Sequence, residues 1–232
     1  MNILIVGNGG REHAIAWKIH KDDPSAKIFC APGNAGTAAI AENLQIEADN
    51  IKGIVNWAVE NKPDRPVVGP EVPLCLGLVD ELTIRRLPAF GPSKAAAQME
   101  GSKKFAKEVM TAAQVPTARS TIVRTEAEAR AAVNDFGIPV VFKADGLAAG
   151  KGVSVCTTQA EIDEALQTFF VERSFGEAGI DVLVEEFLSG EEASILAFVD
   201  GTTVIPLASA QDHKRLLTDD KGPNTGGMGA YS

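Results

Sequence analysis

The first hundred residues repeat one pattern: a short apolar run ending at or near a glycine or a proline, then a stretch with helical period. "NILIV" leads into a helical pattern over 11–20, "KIFC" and "LQI" precede one over 51–60, "PVVG" precedes one over 72–82, and "PAFG" closes the series. Strands that alternate with helices predict a parallel sheet wrapped by helices, because a parallel neighbour is reached only through a crossover. The class this implies is α/β. From 93 to 113 the alanine- and lysine-rich text predicts helix interrupted at Gly101, and a domain boundary is expected near residue 100.

Beyond Pro116 the spacing changes. "STIV" predicts a strand, and Thr125 with Glu128 forms a capping box that opens a helix to about Asp135. "IPVVFKA" and "GVSVC" predict strands, and Thr158 with Glu161 caps a helix that places Ile162, Leu166, Phe169 and Phe170 on one face. "DVLVEEF" and "EASILAFVD" follow as strands, the second turning at Gly201 into "TTVIPLA" as an antiparallel hairpin. The last twenty residues are polar and glycine-rich and show neither helical nor strand period.

A chain of 232 residues with 45% hydrophobic content buries a substantial core, as one large domain or two small ones. Its 22 Lys and Arg against 31 Asp and Glu give a net charge of -9, which argues against a nucleic-acid scaffold and a polybasic membrane anchor. Small anionic ligands stay open, since a few placed lysines hold phosphates at any net charge. Cys30, Cys75 and Cys156 are far apart and form no CxxC, which fits a reducing cytoplasm and suggests neither disulfides nor a zinc site. "MNILIVGNGG" carries no basic segment or cleavage site and is expected to be a buried first strand. No run approaches the ~18 apolar residues of a membrane span.

Two glycine loops invite comparison with nucleotide motifs. In "KADGLAAGKGVSV" three residues separate Gly146 from Gly150, Gly152 follows Lys151, and a β-branched stretch comes next. A Walker A loop needs four intervening residues, a Ser or Thr for magnesium, and a helix. The loop is therefore expected to join two strands and to act as a flap over a triphosphate, with Lys151 on the loop and Lys143 on the strand as point charges. A glycine-rich hairpin with an exposed lysine accounts for the same text. In "VGNGGREHA" Gly7 and Gly9 precede a helix, but Glu12 stands where a dinucleotide fingerprint has its third glycine, and "KIFCAPG" offers no acid for a ribose. NAD is thus disfavoured; a monophosphate or carboxylate behind Gly9 and Gly10, or a tight turn alone, remains.

Taken together, "GNGGREHA", "APGNAGT", "VGPEVPL", "GPSKAAAQMEGSKKFAK", "KADGLAAGKGV", "EEFLSGEEAS" and "QDHKRLLTDDKGPNTGGMGAYS" resemble the glycinamide ribonucleotide synthetases, the phosphoribosylamine-glycine ligases of purine synthesis. The resemblance is collinear from residue 1 to 232. It implies a Rossmann-like substrate-binding domain over 1–100 and a partial ATP-grasp domain over 101–232, whose small α+β lid spans about 122–188. It also implies ATP-dependent ligation of glycine to 5-phosphoribosylamine through a glycyl phosphate, by a cytoplasmic enzyme that is a monomer at full length.

The resemblance carries site residues with it. Lys103 and Lys143 match the family's phosphate lysines, and Gly146, Gly150, Lys151 and Gly152 form the flap. The backbone of Glu185, Glu186, Phe187 and Leu188 would recognise adenine, and Glu192, with Glu191 as the alternative, would accept the ribose hydroxyls. Gly9, Gly10, Glu12, Asn224, Thr225 and Gly226 would bind substrate, and Asp212, Lys214 and Arg215 would serve catalysis, the lysine and arginine by balancing charge on glycine's carboxylate or the ribosyl phosphate; a solvated charge run is the alternative for 212–215. His213 lacks a nucleophile to serve. The magnesium ligands that accompany ATP are expected beyond residue 232, since adjacent Asp219 and Asp220 rarely converge on one metal. The chain is accordingly expected to be a truncated form, inactive alone, with an uncovered sheet edge; a nucleotide-binding fragment without catalysis, or another ATP-grasp carboxylate-amine ligase, is the alternative.

Overall fold

A computed structural model describes residues 1–147, 152–219 and 221–232, apart from the side chains of Pro223, Asn224 and Gly226. The chain divides into two units, Met1–Val109 and Met110–Ser232. No helix among the described residues is long and apolar enough to cross a membrane.

The first unit is built on a parallel sheet of β1 (Asn2–Gly7), β2 (Lys27–Pro32), β3 (Glu42–Asn43) and β4 (Arg65–Val68), in the order β3-β2-β1-β4. Ile3, Ile5, Ile28 and Cys30 face α1 (Gly10–Asp22), where Ala16 packs on them. Leu4, Val6, Ala31 and Val68 face the opposite side, against Ile54, Val55 and Ala58 of α2 (Ile51–Asn61). Burial on both faces explains why β1 reads as an unbroken apolar run rather than an alternating one. The chain leaves β1 sideways to β2 and β3, then returns through α2 to β4 on the other flank of β1. That reversal puts a crevice at the carboxyl ends of β1 and β4, where ligands of open α/β sheets bind.

Four expectations for this unit differ from the structure. "LQI" is not a strand: β3 precedes it, the Leu44 amide makes one bond to the Cys30 carbonyl at 2.8 Å, and Leu44 and Ile46 then serve as apolar anchors of a loop. "PAFG" contributes only a bridge between Phe90 and Val67. The helix expected over 72–82 is two, α3 (Glu71–Leu76) and α4 (Leu78–Ile84), because Gly77 takes φ +91° and ends the first. The interruption expected at Gly101 falls at Ser102, extended between α5 (Lys94–Gly101) and α6 (Lys103–Ala112).

In the second unit β5 (Ser120–Val123), β6 (Val140–Ala144), β7 (Val153–Cys156) and β8 (Val182–Glu186) form an antiparallel sheet ordered β5-β8-β6-β7. Both capping boxes are in place, at α7 (Glu126–Phe136) and α8 (Gln159–Leu166). The core beneath these helices contains Val123, Val133, Phe142, Ile162, Leu166, Phe169 and Val184, each buried, with Phe170 partly buried against it. Phe169 and Phe170 reach it from a π-helical turn, Gln167–Val171, that continues α8.

The rest of this unit departs further from expectation. β9 (Ala197–Asp200) pairs with β10 (Thr203–Pro206) around Gly201 as expected, but β9 starts five residues later than the text suggests, with only Ser194 bridged to Ala210 before it. The last twenty residues, read as having no strand period, form a hairpin of β11 (Gln211–Leu217) and β12 (Lys221–Tyr231). Its described residues are mostly exposed, so no buried face imposes an alternation that a sequence would display. Cross-strand bonds hold it instead: Tyr231 donates to Gln211 Oε1 at 2.5 Å, Arg215 donates to the Gly222 carbonyl at 2.7 Å, and the His213 and Tyr231 rings stack at 5.7 Å.

Candidate functional site

In the first unit the β1–α1 turn, the loop after β2 and the loop after β4 meet at the crevice. Glu12, in the first turn of α1, is 2% exposed. Its Oε2 accepts the Gly9 amide at 2.7 Å, while Oε1 has no hydrogen-bond partner among the described residues. The carboxylate takes up space that side chains would need. A methyl carbon on Gly69 would lie 2.1 Å from Oε1, one on Gly7 2.6 Å from Cγ, and one on Gly9 2.9 Å from Oε2. Asn34 clamps the same turn, donating from Nδ2 to the Asn8 carbonyl at 2.9 Å and the Gly9 carbonyl at 3.3 Å, and accepting the Gly36 and Thr37 amides at Oδ1. Gly9 is therefore bonded on both its polar groups, whereas Gly10 is exposed and a side chain there would meet nothing.

The structure thus brings Gly9, Gly10 and Glu12 together. It adds Asn34 and Gly69, to which the sequence reading gave no role although "APGNAGT" and "VGPEVPL" contain them. At the rim Arg11 donates to Glu71 at 2.9 Å. Burial acts to raise the Glu71 carboxyl, but the Arg11 hydrogen bond and charge help bring it below the usual carboxylate range. Lys103 starts α6, in this first unit.

In the second unit, pairing of β6 with β8 sets Lys143 opposite Leu183 and Val141 opposite Glu185. Lys143 and Glu185 consequently share the sheet face turned away from the helices, and they meet at 2.5 Å. The loop expected to act as a flap begins directly after β6. The Gly146 amide bonds the Ala178 carbonyl at 3.3 Å, a methyl carbon on Gly146 would stand 2.7 Å from Ala178 Cβ, and the Ala144 amide bonds the Gly152 carbonyl at 2.8 Å, closing the loop base. The loop joins two antiparallel strands, as its sequence implies. Gly150 and Lys151 lie outside the described residues, as does Asp220.

At the end of β8, Glu186 accepts from the Arg119 amide at 2.8 Å and from Arg119 Nε at 2.9 Å, and its own amide returns a bond to the Arg119 carbonyl at 3.0 Å. Phe187 and Leu188 lie past the last paired residue and are exposed. Further along, Lys214 of β11 reaches Glu192 at 2.5 Å and Asp212 at 3.7 Å. The Glu192 hydrogen bond, with Asp212 adding its charge, holds the Lys214 ammonium above the usual lysine range. Asp212 also accepts from Ser194 at 3.4 Å, and Thr225 donates to the Lys214 carbonyl at 2.8 Å. Arg215 is committed to its own hairpin through Gly222. Asn224 and Gly226 lie on β12, with side chains outside the description. Among the described residues no group of three or more His, Cys, Asp or Glu is placed to hold a metal ion.

Each cation of the second unit that the sequence singled out, where described, is thus bonded to a nearby acceptor, Lys143 and Lys214 to carboxylates and Arg215 to a carbonyl. Such an arrangement can pass a lysine from a carboxylate to a phosphate oxygen with the lysine charged and paired in either state, at the cost of uncovering the carboxylate it leaves.

Residues 1–100 match the family model of the phosphoribosylglycinamide synthetase N domain, and residues 101–232 that of the phosphoribosylglycinamide synthetase ATP-grasp (A) domain. Among curated relatives, the phosphoribosylamine-glycine ligase of Vibrio vulnificus (strain YJ016) is 52% identical and that of Pseudomonas syringae pv. tomato 50%, each over 100% of this chain and 54% of the relative. The chain spans about half the length of the curated relatives it matches. A solved phosphoribosylamine-glycine ligase from Thermotoga maritima has a TM-score of 0.81 at 34% identity, over 99% of this chain and 55% of that one. The N5-carboxyaminoimidazole synthetase of Staphylococcus aureus shares the fold alone, with a TM-score of 0.72 at 16% identity over 93% and 55% of the two chains.

Proposed function

Because the chain belongs to the phosphoribosylglycinamide synthetase family, we propose that it serves the ATP-dependent ligation of glycine to 5-phosphoribosylamine in purine biosynthesis. The observation that carries this reading is the match of both domain models in order along the chain. In the proposed reaction a glycine carboxylate oxygen attacks the γ-phosphorus of ATP, giving glycyl phosphate and ADP. The amine of phosphoribosylamine then attacks the acyl carbon, phosphate leaves, and the amine proton is released. No protein nucleophile takes part. The protein aligns the reactants, supplies cations to the phosphates and keeps water from the acyl phosphate.

The assignments follow the two units. Residues 1–100 are proposed as the phosphoribosylamine domain, with the turn at Gly9 and Gly10 lining the site and Glu12 shaping it. Residues 101–232 are proposed as part of the nucleotide fold, with the lid over about 122–188 and the flap residues Gly146, Gly150, Lys151 and Gly152 above the phosphates. Lys143, together with Lys103, is proposed as a phosphate contact, exchanging Glu185 for a phosphate oxygen. Since the Glu186 amide is used in the sheet, the adenine edge is assigned to the backbone of Phe187 and Leu188. Glu192 is assigned to the ribose, and Asp212, Lys214, Arg215, Asn224, Thr225 and Gly226 to the substrate side. For the Mg2+ that accompanies ATP, the described residues place no group of three or more Asp, Glu, His or Cys together.

A cytoplasmic, monomeric enzyme completes the reading, in keeping with cysteines that stand as free thiols. Calorimetric titration with ATP tests it. The parent is expected to bind, and Lys151→Ala and Lys143→Arg to bind more weakly, the arginine keeping a cation beside Glu185 so that the protein stays folded. Unchanged ATP affinity in both variants would remove the phosphate assignment. ADP release that requires glycine and phosphoribosylamine together tests the reaction itself.

A further inference from the structure

We propose that Glu12 is a built-in anion that determines which ligands the crevice between β1 and β4 admits: its carboxylate holds the position at the α1 N-terminus where a phosphate would otherwise dock. A glycine-rich turn from a strand into a helix of 13 residues presents amides and the positive end of the helix dipole, the ordinary recipe for binding phosphate. Here Glu12 Oε2 already sits on the Gly9 amide at 2.7 Å.

Helix capping alone does not account for this. In α7 and α8 the same third position carries Glu128 and Glu161, which are exposed and pair with a threonine cap that returns the bond. In α1 the cap is Gly9, which has no side chain to return one, and Glu12 is turned inward to 2% exposure. Its second oxygen is buried with no partner among the described residues, a state that costs free energy wherever it is not offset. Gly7, Gly9 and Gly69, from two separate stretches of sequence, leave the volume the carboxylate fills.

An anion fixed there in poorly screened surroundings opposes a second one. The crevice consequently rejects phosphate and pyrophosphate at the α1 turn and admits neutral groups or donors such as a sugar hydroxyl or an amine. Glu12 is then specificity-determining, and it stands where a dinucleotide fingerprint has its third glycine. The inference rests on the first unit's geometry and does not depend on the ligase reading.

The test follows the Gly9 and Gly10 amide resonances of the full chain during titration with inorganic phosphate, a local readout that phosphate bound elsewhere does not move. The parent is expected to show no saturable shift at Gly9, and Glu12→Ala, which vacates the position, to show one. A saturable Gly9 shift in the parent, or none in folded E12A, overturns the proposal. Should E12A not fold, Glu12→Ser, which also shortens the side chain away from the position and can bond its own helix turn, carries the test: a saturable Gly9 shift is expected, and its absence in the folded variant overturns the proposal.

Discussion

Lys143 and Glu185 meet at 2.5 Å across the β6–β8 ladder, the lysine side chain 31% exposed and the carboxylate 5%. Removing the ammonium takes a counterion away from a buried charge, which is costlier than losing a surface pair. Lys143→Met is expected to destabilise the second unit by about 2–3 kcal/mol, below the range for fully buried pairs because the lysine reaches solvent. Lys143→Met with Glu185→Met should cost less than Lys143→Met alone. Urea denaturation of the single and double variants measures both, and a double variant less stable than K143M would show that the charge pair is not the cause.

Gly69 has no unusual backbone angle, so its lack of a side chain is a matter of space alone. Gly69→Ala drives a methyl into Glu12 Oε1 and should cost about 1–3 kcal/mol as an overpacked site. In the Glu12→Ala background that clash is gone, and the two substitutions should couple favourably by about 1 kcal/mol or more. Additive losses in the cycle would mean that Gly69 answers to something other than Glu12.

The cysteines should separate by reactivity. Cys156 is buried, and burial, aided by the charges of Glu161 and Glu164, pushes its thiol up to about 11. Cys30 is also buried, while Cys75 is partly exposed. Iodoacetamide applied to the folded protein at mildly alkaline pH should label Cys75 first, because the thiolate is the reacting form and must be reached. Peptide mapping by mass spectrometry reads the order, and early labelling of Cys156 would contradict its burial.

These sites differ in how far the sequence discloses them. The capping boxes at Thr125 and Thr158, the alternation that makes β1, β2 and β4, and the misfit of the 146–152 loop to a P-loop are local signals, and local signals survive in a single sequence. Glu12 was legible as an anomaly, a carboxylate where a fingerprint has glycine. What it touches was not, because Gly69 is 57 residues away and only the sheet order brings it near. The Lys143–Glu185 pair was hidden for the same reason, since register across β6 and β8 is a tertiary fact. The hairpin over 211–231 escaped because its glycines and exposed side chains carry no burial pattern.

The two capping-box glutamates should tie part of the second unit's stability to pH. The Glu161 carboxylate accepts the Thr157 amide at 2.7 Å, the Thr157 hydroxyl at 2.9 Å and the Thr158 amide at 3.0 Å, bonds that hold it below the usual carboxylate range. Glu128 is lowered likewise, first by the Arg124 amide. A carboxyl depressed on folding contributes stability that is fully present above its unfolded value, about 4.3 for glutamate, and is lost as pH falls through the folded value. At neutral pH Glu161→Gln should therefore melt below the parent, and the gap should close as pH drops beneath the unfolded value. Thr158→Ala, which removes the cap hydroxyl at every pH, should lose about 1 kcal/mol at neutral pH and keep part of its deficit in acid. Thermal midpoints of the three proteins across this pH range decide the matter: an E161Q gap that stays constant with pH would show that the Glu161 charge is not what the box uses.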